Sequence, residues 1–109
     1  MLRVVTSVRD RAALEAACRE LDVNPPRQGR LRLDNDEACG FVVRLPGLRY
    51  PVAFDLRSGF VAYHRLDNAF EPYARLTRLI HACYAVHARR LRSRDSAKGR
   101  RPAKAKQAV

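Results

Sequence analysis

Period-two alternation of apolar and polar residues opens the chain over 2–6, where two valines favour a strand. The period then changes. Asp10 is placed to cap a helix whose apolar side is Leu14, Ala17, Cys18 and Leu21, at i, i+3, i+4 and i+7. Asn24-Pro25-Pro26 ends it, because a residue preceding proline is pushed out of the α region. Leu31-Arg32-Leu33 alternates briefly and reads as an edge strand.

The middle of the chain is a meander. Two strand-like runs, 40–45 and 49–54, are joined by Pro46-Gly47, which suits the centre of a type II turn. Phe41, Val43 and Leu45 are expected to share one face, and Tyr50, Val52 and Phe54 one face of the next strand. Pro51 cannot donate to a ladder, so it belongs at an edge or a bulge. The turn residues 55–59 lead into a third run, 60–64, and 66–69 is loop.

Glu71-Pro72 opens a long helix, since proline is tolerated in a first turn. Tyr73, Leu76, Ile80, Cys83, Tyr84, His87 and Leu91 fall on one side of it, and Arg75, Arg78, Arg89 and Arg92 on the other. The order is strand, helix, strand, three-strand meander, helix. It predicts an α+β domain over residues 1–91, with a mainly antiparallel sheet and both helices packed on one face.

Composition agrees with one modest core: 109 residues, 47% hydrophobic and 7% aromatic. Charge changes the picture more. Of a net +11, residues 1–88 carry +3, from 13 Arg against 10 acids, while residues 89–109 carry +8, from nine Lys/Arg against Asp95. Residues 92–109 read as a basic, disordered tail, since from Ser93 onward only Val109 is a large aliphatic residue and no aromatic is present.

Such a tail would neutralise phosphates and bind a polyanion such as RNA or DNA without sequence choice. The residues expected to carry this are Arg75, Arg78, Arg89, Arg90, Arg92, Arg94, Lys98, Arg100, Arg101, Lys104 and Lys106. Their plainer use is a solvated helix face, with cations complementing the helix dipole at its C-terminus.

Other chemistry is thin. The start has no signal-like apolar stretch and no run is long enough to span a membrane, so a cytoplasmic protein is expected. Three cysteines, 18, 39 and 83, outline neither a disulfide framework nor a metal knuckle, and Cys18 and Cys83 read as core residues. Cys83, His87 and His64 could supply three zinc ligands, and Cys83 with His81 or His87 a thiol–base pair. The helical pattern instead places Cys83 and His87 in the core. Asp34-Asn35-Asp36-Glu37 lacks the spacing of a calcium loop and reads as a solvated turn. No phosphate cradle or hydrolase elbow is present, so neither an enzyme nor a cofactor is expected.

Leu45-Pro46-Gly47-Leu48-Arg49-Tyr50-Pro51-Val52, followed by Asp55, Gly59 and Tyr63, resembles a family of small uncharacterised proteins. They occur as hypothetical plastid reading frames and in cyanobacteria and planctomycetes, and carry a domain of unknown function. Val5-Thr-Ser-Val-Arg-Asp10 and Tyr84-Ala-Val-His87 are similar too, so the resemblance covers about residues 1–90. The Trp-Gly common in that family after the meander is missing, and the basic tail stands where many members continue into further strands. The resemblance implies no catalytic residues. It does imply an alternative role, an adaptor whose body docks on a protein partner such as an AAA-type ATPase while the tail only solubilises.

Overall fold

A computed structural model of the chain describes the backbone of residues 1–102 and the side chains of residues 1–92. The elements are β1 (Leu2–Val5), α1 (Arg11–Glu20), β2 (Arg27–Leu33), β3 (Asp36–Val43), β4 (Val52–Asp55), β5 (Phe60–Tyr63) and α2 (Phe70–Pro102), with a 3-10 turn, Arg65–Asp67, before α2. The strands form one antiparallel sheet in the order β1-β5-β4-β3-β2. The protein is α+β. Among the described residues no helix is long and apolar enough to cross a membrane.

One face of the sheet carries the main core. Val43 from β3, Val52 and Phe54 from β4, and Val61 and Tyr63 from β5 meet Ala13, Leu14, Ala17 and Cys18 of α1 and Leu76, Leu79, Ile80, Cys83 and Val86 of α2. The largest of these are fully buried, and each such Leu, Val or Phe contributes about 1.5–3 kcal/mol by leaving water. Asp10 caps α1 as expected, its carboxylate accepting from the Ala12 amide at 3.0 Å.

The buried stripe of α2 is rotated from the expected one. Leu79 and Val86 lie in the core, whereas Tyr84 and His87 are exposed. Both sets have helical spacing, and the aliphatic side chains win because burying them strands no polar group.

The β2–β3 hairpin departs furthest from expectation. β2 begins at Arg27 and β3 at Asp36, so only Asp34-Asn35 forms the turn, with Asp34 at φ +57°, a conformation Asp tolerates. The two strands are paired through Gly29 and Gly40, yet β3 meets β4 only over 41–43. Beyond Gly40 the hairpin folds back across the outer face of the sheet. Its tip reaches β1, which β4 and β5 separate from β3 in the sheet order: the Arg3 guanidinium donates to Asp36 at 3.1 Å and to the Glu37 carbonyl at 3.2 Å. Leu31 and Leu33 thereby bury against Ala53 and Ala62 on β4 and β5, forming a second small core.

The bend depends on a missing side chain. A Cβ at Gly40, where φ is +148°, would stand 2.3 Å from the Phe54 carbonyl oxygen. Small residues at 53 and 62 leave room for the two leucines.

Pro46-Gly47 is a tight turn, with Gly47 at φ +94° and the Leu48 amide donating to Leu45 O at 3.3 Å. The chain does not return to the sheet until Val52, however. Arg49 and Tyr50 are drawn off by Asp67, whose buried carboxylate accepts from both of their amides, at 2.9 and 3.1 Å. Tyr50 therefore lies with the outer cluster and stacks on His64 at 4.1 Å, apart from Val52 and Phe54.

Helix α2 continues past the expected boundary at 91, to Pro102. The expectation of a disordered tail falls on 92–109, of which the side chains from 93 onward and all of 103–109 lie outside the described residues.

Gly40→Ala should destabilise the protein by about 1–3 kcal/mol in chemical denaturation, because β4 or the hairpin must move. Gly29→Ala, with nothing within 4 Å of the added carbon, should stay within about 0.5 kcal/mol. Equal losses at the two glycines would contradict the bend.

Candidate polyanion interface

Where α2 passes α1, three of its polar side chains are committed. Arg89 donates to Glu20, Arg90 donates to Asp10, and His87 Nδ1 lies 3.0 Å from the same Asp10 carboxylate. One carboxylate thus caps α1 and holds two cationic or polar groups of α2. Burial opposes its ionisation, but hydrogen bonds from His87, the α1 backbone and Arg90 outweigh it and hold Asp10 below the usual carboxylate range. Arg89 and Arg90 therefore serve first as fasteners between the helices. Both pairs are partly exposed, so each contributes modestly, within roughly 1 kcal/mol.

Beside this junction is a cleft of about 380 Å3, with Val8, Ala13, Cys83 and Leu91 among its apolar lining and Asp10 and His87 at its polar side. The Tyr84 hydroxyl closes one side by accepting from the Ser7 amide at 3.0 Å. Cys83 is buried, and burial, reinforced by Cys18 and Asp10, pushes its thiol up to about 12. Cys18 is likewise raised, to about 11. Such thiols remain protonated at neutral pH and are poor nucleophiles.

The three side chains considered as zinc ligands are not brought together. His64 lies at the outer face, where its Nδ1 accepts from the Leu66 amide at 3.0 Å; its ring proton therefore sits on Nε2, 3.3 Å from Asp34. Cys83 is in the inner core, and His87 is exposed rather than buried. His81 is exposed too, tilted 6.2 Å from the Tyr84 ring. No group of three His, Cys, Asp or Glu able to hold a metal occurs among the described residues.

Of the basic residues singled out from the sequence, Arg75 and Arg78 are exposed and line a shallow concavity with Leu21, Val23, Leu45 and Pro46. Arg92 is exposed. Arg94, Lys98, Arg100 and Arg101 belong to the part of the chain whose side chains are not described, and Lys104 and Lys106 lie outside the described residues.

Two arginines not anticipated from the sequence stand close by in the fold. Arg27 and Arg44 line a neighbouring concavity of about 490 Å3 with Asn24, Pro25, Val42 and Pro51. The two concavities flank the same pair of loops, since residues 23 and 45 face one and residues 24 and 44 the other. Only strand register discloses Arg27 and Arg44: neither lies in a basic run, and 16 residues separate them.

No protein-family model, curated protein or solved structure matches the chain.

Two measurements check this geometry. Because the folded Asp10 carboxyl is held low, its contribution to stability is present above its unfolded value near 3.9 and is lost as pH falls through the lower folded value. Asn keeps the cap but removes the charge, so Asp10→Asn should lower stability at pH 7 by about 1 kcal/mol or less and flatten the acid limb of a stability–pH curve below about pH 4. In a thiol-reagent titration, only Cys39, which is exposed, should react in the native protein, and all three cysteines in denaturant.

Proposed function

We propose that the protein is a non-enzymatic polyanion-binding module, contacting nucleic-acid phosphates through the basic end of α2 and the residues after it. The observation that carries this reading is the continuity of α2. The helix runs 33 residues, about 50 Å, and carries its basic C-terminal stretch on beyond Arg89 and Arg90, its two ion pairs to α1. The body orients the helix, and residues 91–109, with seven Lys/Arg against Asp95, supply a net +6. With Arg89 and Arg90 engaged on acids of α1, the contact set reduces to Arg92, Arg94, Lys98, Arg100, Arg101, Lys104 and Lys106, with Arg75 and Arg78 as a separate surface on the body. The raised thiols of Cys18 and Cys83 support a binding role over thiol catalysis.

The test is RNA binding by the full chain and by a variant with Arg94, Lys98, Arg100, Arg101, Lys104 and Lys106 all changed to Gln. At low salt the variant should bind roughly tenfold or more weakly. Its log–log salt slope should be shallower by several units, since each phosphate contact contributes about 0.7–0.9. Unchanged affinity would overturn the reading and return the function to the body as a surface for a protein partner.

A further inference from the structure

The body contains a second basic feature whose geometry is more specific than a charged face. Arg27 pairs with Val42 across β2 and β3, Arg44 follows just past the end of β3, and the two arginines line one concavity at the base of the hairpin. Lining the same concavity, the two long side chains can reach one small group held between them. Both are exposed, and neither pairs with a carboxylate among the described residues.

The other side of the same hairpin makes the contrast. Arg30 and Arg32 also neighbour each other, but they share Glu37, at 3.3 and 3.8 Å, so their charge is met from within. Among the described residues, no such acid lines the concavity of Arg27 and Arg44. The nearest acid in sequence, Asp22, does not line it. Two like charges held side by side oppose each other until an anion sits between them. A guanidinium fork suits the oxygens of a phosphate, and two forks can grip two edges of one.

The remaining lining narrows the ligand. Asn24 offers an amide that can donate or accept, while Pro25, Val42 and Pro51 form an apolar wall. An inorganic anion would leave that wall unused.

We infer that the Arg27–Arg44 concavity is a binding site for a phosphate monoester, with the phosphoryl group between the two guanidinium groups and the organic part of the ester, such as a nucleoside, against Pro25, Val42 and Pro51. This site stands apart from the basic end of α2, because every residue in it belongs to the body.

The experiment is an NMR titration of the isotopically labelled full chain at constant ionic strength, with inorganic phosphate in one arm and adenosine monophosphate in the other. The arginine Nε–H signals of Arg27 and Arg44 and the backbone amides of Asn24 and Val42 should shift together and saturate. The nucleotide should bind at least threefold more tightly than phosphate. Arg27→Gln and Arg44→Gln should each weaken binding at least tenfold. Arg44 lies outside any strand, so its variant keeps the test valid should Arg27→Gln disturb β2. The six-Gln variant of the basic end should bind the nucleotide unchanged, which separates this site from the reading above. Shifts spread over all arginines without saturation, undiminished binding by the Gln variants, or phosphate binding as tightly as the nucleotide would each overturn the inference.

Discussion

The close approach of Gly40 to the Phe54 carbonyl is the constraint on which much of this architecture rests. A strand as long as β3 would ordinarily continue flat beside β4 and leave its far half projecting into solvent. With no side chain at 40, the hairpin bends across the sheet instead, and Leu31 and Leu33 come to rest on Ala53 and Ala62. A single-layer sheet with helices on one side therefore gains partial cover on the other. In a chain of 109 residues, where surface is large relative to volume, a second patch of buried aliphatic area matters. The bend also delivers Asp36 to Arg3 and Asp34 to His64, so the hairpin tip is tied down by polar contacts that a flat hairpin could not make. The same curvature leaves Arg27 and Arg44 at the base of the hairpin, away from the acids at its tip.

Charge in this protein divides by what answers it. Arg3, Arg30, Arg32, Arg57, Arg89 and Arg90 each have a carboxylate within 4 Å, whereas among the described residues no acid lines the concavities of Arg75 and Arg78 or of Arg27 and Arg44. A count of +11 conceals this division. What matters for binding is where positive charge is uncompensated and whether the surface around it is shaped.

Much of the fold was legible from residue patterns. The helix capped by Asp10, the Pro46-Gly47 turn, the meander and the α+β class follow from local rules that the tertiary structure respects. Other features were not legible, each for a physical reason. The stripe of α2 was ambiguous because Tyr84 and His87 share helical spacing with Leu79 and Val86, and only packing against α1 and the sheet decides between them. Tyr50 changes sides because a buried carboxylate 17 residues away, Asp67, takes the amides that a strand would have used. The ion pairs Arg89–Glu20 and Arg90–Asp10 join residues 69 and 80 apart, a separation at which no sequence rule pairs charges. The Arg27–Arg44 site is hidden the same way, since the two residues come to line one concavity only once β2 and β3 are paired. The run Leu45-Pro46-Gly47-Leu48-Arg49-Tyr50-Pro51-Val52 gains a structural meaning here: it is the turn and loop that Asp67 clamps and that Tyr50 stacks against His64.

The sheet order has a kinetic side. β1, the first strand in the chain, finds its partner in β5, the last, and the cap of α1 is completed by residues near 90. The β2–β5 meander can zip by successive short loops, but β1 and α1 must wait for a closure spanning nearly the whole body. Loop entropy makes such closures slow relative to hairpin formation. Folding should therefore be gated by the meeting of the two ends of the body, with the meander as a preassembled platform.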